Sequence, residues 1–312
     1  MTGTEATSRS VRATAKINLF LRVLGARDDG YHDLQTLIVP VSLADRLEVH
    51  ADAGPSFRTL SLSLDVIGEP DVVAGVPRDE ANLVLRAAIA LSEATGVRGF
   101  ADLTLEKRVP SAAGLGGGSS DAAATLLVLN DLWRTGLDQD QLRELGATVG
   151  SDVPALMAGG PVLAEGRGER VRSVPCRSLR LVVVTFALEV STPEAFGWWD
   201  QEGSTGPDPD ELLRWAALGS AEESLGRLLF NDLEEPVSSR HPTIAQAKRI
   251  LLGGGVAGAA MSGSGPSVFG ILLDGRERLD REVEDAITEV SGRAPVYLSS
   301  LGSFEDEGAG PP

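Results

Sequence analysis

The chain has 312 residues, 42% of them hydrophobic and 23% charged, with one cysteine, Cys176, and a net charge of −17. This composition is that of a globular protein with room for two domains. The lone cysteine excludes an internal disulfide. The acidic excess argues against nucleic acid as a partner, because nucleic acid binds basic surfaces. No stretch approaches the roughly 18 apolar residues of a membrane span, and the polar first 12 residues lack the apolar core of a signal peptide, so we expect a cytoplasmic protein without a membrane partner.

Hydrophobic periodicity predicts strands and helices in mixed order. Alternating or continuous apolar runs predict strands near residues 11–24, 37–41, 45–50, 61–66, 101–109, 161–165, 179–188, 258–261 and 267–273. Apolar residues at helical spacing predict helices at residues 79–96, 121–133, 139–149, 153–158, 211–218 and 242–252. Because the order is not strictly βαβ, the sequence favours an α+β fold over a doubly wound sheet.

The pattern resets after Gly159 and Gly160, which suggests a boundary between two domains. We therefore predict an N-terminal domain at residues 9–160 and a C-terminal domain at residues 161–302. Residues 303–312 are acidic and rich in Gly and Pro, so we predict a disordered tail.

A glycine-rich segment between a predicted strand and a predicted helix is the strongest local signal. Its backbone amides can approach a ligand without interference from Cβ atoms, and the following helix N-terminus favours anions, so it suits a polyphosphate. The alternative is a flexible hairpin or a helix cap, which needs only one or two glycines. The absence of a Gly-Lys pair excludes a Walker A loop. The segment consists of Pro110, Ser111, Ala112, Ala113, Gly114, Leu115, Gly116, Gly117, Gly118, Ser119 and Ser120.

A formal GxGxxG motif occurs at Gly253, Gly255 and Gly258. It follows a predicted helix instead of a strand, and no βαβ unit surrounds it. We interpret it as a loop and not as a dinucleotide site.

Three separated segments together resemble the GHMP small-molecule kinases: residues 15–19 (Ala-Lys-Ile-Asn-Leu), the glycine-rich segment, and residues 261–267 (Met-Ser-Gly-Ser-Gly-Pro-Ser). The resemblance extends over about residues 11–301. It implies an ATP-dependent phosphorylation of a hydroxyl group. It also implies the two-domain GHMP kinase fold, with a ribosomal-protein-like N-terminal domain, a ferredoxin-like C-terminal domain and the substrate between them.

A narrower resemblance rests on residues 29–36 (Asp-Gly-Tyr-His-Asp-Leu-Gln-Thr), 150–154 and 231–234. These segments are similar to those of the GHMP kinases whose acceptor is a cytidine diphosphate-linked methylerythritol. The resemblance implies that this small molecule is the substrate and that its carbon-2 hydroxyl receives the γ-phosphoryl group of ATP. The protein is expected to be a monomer or a homodimer.

The resemblance implies that Lys16 and Asp152 are the catalytic residues. A carboxylate beside the acceptor hydroxyl can accept or orient its proton, and an ammonium can stabilise the charge that develops on the transferred group. From the local sequence alone, Asp152 could be a helix N-cap and Lys16 a surface residue whose stem is buried. Lysine is rare in this chain, which has only Lys16, Lys107 and Lys248. This rarity slightly favours a catalytic role for Lys16 over a surface position.

The remaining site residues follow from the resemblance in the same way. Tyr31 and Phe196 would stack on the cytosine and His32 would meet its polar edge, although the local sequence alone favours a core position for Phe196. The implied substrate residues are Asn18, Tyr31, His32, Thr192, Pro193 and Phe196. Asn82 and Lys107 would contact the nucleotide; on local sequence alone, both are ordinary surface candidates.

ATP chemistry calls for a divalent cation, usually Mg²⁺. The sequence contains no dedicated metal cluster, so its protein ligands stay unknown, with Ser119 or Ser120 as candidates. Three alternatives stay open: a GHMP kinase for homoserine, a mevalonate derivative or a sugar; a binding protein without turnover; and an RNA-binding module, which the charge disfavours.

Overall fold

A computed structural model describes residues 7–218 and 226–300, and its first sheet is built around two long antiparallel strands. Strands β1 (Thr7–Ala26) and β2 (His32–Ala53) pair along almost their whole length. Strand β4 (Gly99–Lys107) pairs with β2, and β3 (Ser61–Gly68) runs parallel to β4 at the edge. Register shifts interrupt the pairing of β1 on either side of Lys16 and Asn18, and such bulges re-aim side chains next to functional sites.

The same sheet receives strands from later in the chain. Strand β5 (Val162–Gly166) pairs with the beginning of β2 and with β6 (Arg170–Ser173), and the two-residue β8 (Phe230–Asn231) runs parallel to β1. The first sheet therefore extends past residue 160, and the limits at 9–160 and 161–302 stay a prediction.

Helices cover one face of this sheet. A short α1 (Pro70–Val73) precedes α2 (Leu83–Thr95), α3 (Gly117–Leu132), α4 (Gln139–Val149) and α5 (Val153–Leu156). Buried aliphatic side chains of α2, α3 and the strands form one hydrophobic core. Helix α3 begins at Gly117 and not at residue 121 as predicted, because the last glycines of the glycine-rich segment adopt helical backbone.

The second sheet has the order β11-β7-β10-β9 and is antiparallel throughout. Its strands are β7 (Arg180–Val184), β9 (Gly258–Met261), β10 (Val268–Ile271) and β11 (Val296–Ser299). The helices of this half are α6 (Thr192–Glu202), α7 (Asp210–Leu218), α8 (Glu234–Arg240), α9 (Pro242–Gly253) and α10 (Arg281–Ser291).

The α+β class is confirmed, while several elements differ from the prediction. Helices α1, α6, α8 and α10 and strands β6, β8 and β11 were not predicted, and β1 and β2 are longer than the alternation suggested. The predicted disordered tail at residues 303–312 lies outside the described residues. Within residues 7–218 and 226–300, no helix is long and apolar enough to cross a bilayer.

Candidate active site

A cavity of about 800 Å³ brings together segments that are distant in the sequence. Its wall contains most of the glycine-rich segment, the beginning of β2, the residues before and within α6, and the loop after β9. Of the predicted site residues, those that line it are Lys16, Asn18, Tyr31, His32, Pro110, Ser111, Ala112, Ala113, Gly114, Gly116, Gly117, Gly118, Ser119, Asp152, Thr192, Pro193 and Phe196. The structure therefore brings these predicted residues together in one cavity, and their roles stay a prediction.

The glycine-rich segment leads directly into helix α3. Gly114 and Gly116 have φ of 74° and 70°, a left-handed backbone that favours glycine. Gly116 also needs the space, because a Cβ atom there would lie 2.8 Å from Cγ of Lys16. The first amide groups of α3 have no intrahelical acceptor, so the segment presents backbone donors at the positive end of the helix dipole. This arrangement can hold the phosphates of a nucleotide.

Lys16 and Asp152 meet in this cavity. Lys16 Nζ lies 3.6 Å from Asp152 Oδ2 and donates a hydrogen bond of 2.7 Å to Asn18 Oδ1. The Lys16 side chain is 4% exposed and that of Asp152 is 36% exposed. Although Asp152 precedes α5, its side chain makes no capping hydrogen bond, so the N-cap alternative is not supported. Lys16 is buried, so the surface alternative fails as well.

Asn18 is itself fixed by the sheet. Its Nδ2 donates to Thr36 Oγ1 (2.8 Å), and Thr36 Oγ1 donates to the carbonyl oxygen of Phe20 (2.5 Å). Because Asn18 and Thr36 both have their hydrogen-bond partners, Asn18 Oδ1 stays directed at the Lys16 ammonium. This series of hydrogen bonds fixes the position of the Lys16 charge beside Asp152.

The loop of residues 262–267 supports the glycine-rich segment from the other half of the molecule. Ser262 Oγ donates to the carbonyl oxygen of Gly114 (3.0 Å) and accepts from the amide of Asn18 (3.3 Å). The amide of Ser267 donates to the carbonyl oxygen of Ala113 (3.3 Å). The loop thus connects the glycine-rich segment to the strand that carries Lys16.

Lys107 and Asn82 have other partners and do not line the cavity. Asn82 caps α2 by accepting from the amide of Val84 (2.9 Å), and it donates to the carbonyl oxygen of Pro77 (2.7 Å). The Lys107 ammonium is buried between Asp45 and Asp121, and it donates to Asp121 Oδ2 at 2.8 Å. The structure therefore does not bring these two predicted nucleotide contacts into the site, and Lys107 instead lies behind the phosphate-binding segment.

The charges of Lys107, Asp45 and Asp121 are strongly coupled. Burial opposes the charge of Lys107, but the carboxylates of Asp121 and Asp45 outweigh it and raise the pKa of Lys107 above its ordinary value. Burial first, and then repulsion by Asp45, raises the pKa of Asp121 to about 7 although Lys107 opposes the rise. Asp45 accepts from the amides of Arg108 and Val109 as well as from Lys107, whereas Asp121 Oδ1 has no partner in the described chain. The raised pKa of Asp121 therefore favours the protonated form of its carboxyl group.

Aromatic residues line one part of the cavity, where the family resemblance predicts that the substrate binds. Tyr31 is 51% exposed, and the guanidinium of Arg167 lies 4.9 Å from its ring centroid. His32 stacks on Phe196 with centroids 4.7 Å apart, and its Nε2 is 2.8 Å from Asp200 Oδ1. The structure thus brings Tyr31, His32 and Phe196 to one cavity but pairs each with a protein neighbour.

Residues that the sequence did not single out also contribute to the cavity wall. Arg167 lies in the turn between β5 and β6, and no motif points to it. Asp200 follows Phe196 by one helical turn in α6, so it would have been found if α6 had been predicted. Thr192 Oγ1 is 2.9 Å from Ser264 Oγ, which joins α6 to the loop after β9.

No group of three or more acidic, His or Cys side chains within residues 7–218 and 226–300 could hold a metal ion. Ser119 lines the cavity, whereas Ser120 is fully buried and its Oγ has no partner among the described residues. Ser119 is thus the more accessible of the two predicted cation ligands.

Two family descriptions match the chain. Residues 82–160 match "GHMP kinases N terminal domain" and residues 211–290 match "GHMP kinases C terminal".

Curated relatives with long alignments carry one name. The 4-diphosphocytidyl-2-C-methyl-D-erythritol kinase of Symbiobacterium thermophilum is 42% identical over 85% of this chain and 90% of its own length. The enzyme of the same name from Exiguobacterium sibiricum is 39% identical over 95% of both chains.

Solved structures agree with the curated relatives. A crystal structure of 4-(cytidine 5'-diphospho)-2C-methyl-D-erythritol kinase has a TM-score of 0.72 and 33% identity, covering 95% of this chain and all of its own. A homoserine kinase from Cytophaga hutchinsonii, at 18% identity and a TM-score of 0.65 over 98% of this chain and 97% of its own, shares the fold.

Proposed function

The chain belongs to the 4-diphosphocytidyl-2-C-methyl-D-erythritol kinases within the GHMP kinases, and from that premise we propose how its residues transfer the γ-phosphoryl group of ATP to the 2-hydroxyl of 4-diphosphocytidyl-2-C-methyl-D-erythritol. This reaction is a step of the non-mevalonate route to isoprenoid precursors. The observation that carries the proposal is the Lys16–Asp152 pair, whose charged atoms lie 3.6 Å apart in the cavity lined by the glycine-rich segment.

Asp152 accepts or orients the proton of the acceptor hydroxyl. The hydroxyl oxygen attacks the γ-phosphorus, the bond to the bridging oxygen of ADP breaks, and the hydroxyl proton passes to the carboxylate. Asp152 suits this role because its side chain is partly exposed in the cavity and makes no cap hydrogen bond. The carboxylate thus both positions the hydroxyl and accepts its proton as the transfer proceeds.

Lys16 stabilises the charge on the transferred phosphoryl group. Its ammonium is buried and fixed by Asn18, and a fixed charge in a site of low dielectric costs little reorganisation during the reaction. Asn18 therefore acts as a positioning residue for Lys16. Because Asn18 on β1 donates to Thr36 on β2, the position of the Lys16 ammonium is fixed by the two central strands.

The glycine-rich segment binds the ATP phosphates through its backbone amides. Gly116, Gly117, Gly118 and Ser119 line the cavity where helix α3 begins, and this helix end attracts anions. Local donors of this kind explain how an acidic protein with a net charge of −17 can bind a polyphosphate.

Mg²⁺ fits the site as an ion held mainly by ATP. The donor set of the cavity contains the Ser119 hydroxyl and the Asp152 carboxylate, and Mg²⁺ in such sites commonly keeps one or two protein ligands besides phosphate oxygens and water. When bound, the ion neutralises phosphate charge. We assign Ser119 as the protein ligand nearest to the phosphates.

The cytidyl group would occupy the part of the cavity near Tyr31, His32 and Phe196. Tyr31 offers an exposed ring face for stacking on the base, and the imidazole of His32 lines the same cavity. The guanidinium of Arg167 on Tyr31 adds a positive charge where a diphosphate anion would pass. We also propose a cytoplasmic location and a monomer or homodimer.

The test is an acceptor panel with purified protein, ATP and Mg²⁺. ATP consumption should occur with 4-diphosphocytidyl-2-C-methyl-D-erythritol and not with homoserine, mevalonate, phosphomevalonate or galactose. Turnover with one of the other alcohols would support phosphoryl transfer from ATP but would refute the proposal that the acceptor carries a cytidyl group. ATP binding without turnover on any acceptor would refute the proposed reaction.

A further inference from the structure

The imidazole ring of His32 is held by three side chains of helix α6. Phe196 stacks on it with an interplanar angle of 24°, Trp199 meets it edge-on with centroids 5.8 Å apart, and Asp200 Oδ1 lies 2.8 Å from Nε2. Only 9% of the His32 side chain is exposed. Because these contacts comprise one ring face, one further ring contact and one nitrogen, the ring has one defined orientation.

The contact with Asp200 determines where the ring carries its proton. An ionised carboxylate can only accept hydrogen bonds, so Nε2 of His32 must be the donor. In a neutral imidazole the other nitrogen, Nδ1, is then an acceptor. Across residues 7–218 and 226–300, no group donates a hydrogen bond to His32 Nδ1. Since His32 and Asp200 both line the cavity, Nδ1 is the acceptor that the ring can offer to a ligand.

We propose that Asp200 is a positioning residue that sets base specificity, because it keeps His32 in the tautomer whose Nδ1 accepts from the exocyclic amino group of cytosine. This inference rests on the proposed function. Cytosine carries an amino donor at the position where uracil carries a carbonyl acceptor. A uracil base would place its carbonyl oxygen against Nδ1 of His32, so that two acceptors face each other. A site that forms a hydrogen bond with one substrate group rejects an analogue that lacks this group. Asp200 would thereby exclude uridine analogues without touching the base.

The first part of the test measures the tautomer directly and needs no substrate. The chain has three histidines, so side-chain ¹⁵N spectra of the labelled protein can be assigned with the variants His50→Gln and His241→Gln. In spectra recorded at pH 8.5 we expect Nε2 of His32 to carry a proton and Nδ1 to carry none. A proton on Nδ1, either in the other tautomer or in an imidazolium, would overturn the inference.

The second part measures discrimination between the cytidyl substrate and its uridyl counterpart as the ratio of their kcat/KM values. Asp200→Ala should reduce this preference by about tenfold or more, the worth of one directed hydrogen bond, and Asp200→Glu should restore most of it. Glu194→Ala is the control, because Glu194 is exposed in the first turn of the same helix.

The outcomes separate the two claims. An unchanged preference in Asp200→Ala, with normal turnover of the cytidyl substrate, would overturn the role of Asp200 alone. No turnover of the cytidyl substrate by the unaltered protein would overturn the proposed function and this inference together. If Asp200→Ala fails to fold, the ¹⁵N spectrum of the unaltered protein still tests the inference, because a proton on Nδ1 of His32 would overturn it.

Discussion

The substitution Asp121→Asn should remove a pH-dependent loss of stability that the buried cluster of Asp45, Lys107 and Asp121 imposes on the fold. Two carboxyl groups share one ammonium there, and Asp121 has the weaker set of hydrogen bonds. The asparagine side chain has the same shape as a protonated Asp121 and carries no charge. The variant therefore mimics the form that the folded protein prefers.

The magnitude follows from the pKa of Asp121, which rises from its ordinary value of 3.8 to about 7. The folded state holds this proton more tightly than the unfolded state, so the stabilising contribution is complete below pH 3.8 and is lost as the pH rises through about 7. At about 1.36 kcal/mol per pKa unit the total loss is about 4 kcal/mol, of which about 3 kcal/mol falls between pH 4.5 and 8.

Urea unfolding at several pH values measures this loss. The difference in unfolding free energy between Asp121→Asn and the unaltered protein should move by about 3 kcal/mol in favour of the variant between pH 4.5 and 8. Asp131→Asn is the matched control, since Asp131 lies on the same helix with a side chain that is 69% exposed. Parallel pH curves for Asp121→Asn and the unaltered protein would refute the reasoning.

Asp152→Asn should lower kcat by about 10² to 10⁴ while ATP affinity by calorimetry stays within about threefold; a kcat near that of the unaltered enzyme would contradict the role of Asp152. Tyr31→Ala should raise KM for the cytidyl substrate several times more than KM for ATP, and equal changes in steady-state assays would exclude stacking on the base. Gly114→Ala should unfold more easily than Gly136→Ala, because both glycines have φ of +74° but only a Cβ at Gly114 would meet an atom, the Ser262 carbonyl oxygen at 2.1 Å. Gly136→Ala measures only the cost of placing alanine in a left-handed backbone conformation, about 1–2 kcal/mol. Equal urea midpoints for the two variants would contradict the predicted clash at Gly114.

Local motifs explain why the core of the site could be predicted from the sequence. The glycine-rich segment lies between one strand and one helix, so its geometry follows from neighbouring residues. Lys16 and Asp152 are distant in the sequence, and the residues alone did not assign them; the resemblance to a family supplied the pairing. The structure then brought their charged atoms within 3.6 Å.

The contacts that sequence reasoning missed depend on tertiary packing. His32 and Asp200 are separated by 168 positions, and Lys107 and Asp45 by 62 positions. No local pattern records such pairs, and the local sequence Glu106-Lys107-Arg108 gives no sign that the Lys107 ammonium is enclosed by two carboxylates. The family resemblance predicted that Lys107 contacts the nucleotide; in the structure the Lys107 ammonium contacts Asp45 and Asp121 behind the glycine-rich segment.

Helix α6 was missed because its apolar periodicity is weak, and Ala195 is its one fully buried residue. Helix α10 differs, because Val283, Ile287 and Val290 recur at helical spacing within a highly charged sequence and pack into a hydrophobic core. That spacing is the signal by which α10 could have been predicted.

The measurement that tests the central claim most directly identifies the phosphorylated carbon. Purified protein, ATP, Mg²⁺ and 4-diphosphocytidyl-2-C-methyl-D-erythritol labelled with ¹³C would be followed by ³¹P and ¹³C NMR, in parallel with Asp152→Asn. We predict a new phosphomonoester coupled to carbon 2 with the unaltered protein and almost none with the variant, although both bind ATP. A phosphate on another carbon, or equal product from both proteins, would contradict the account.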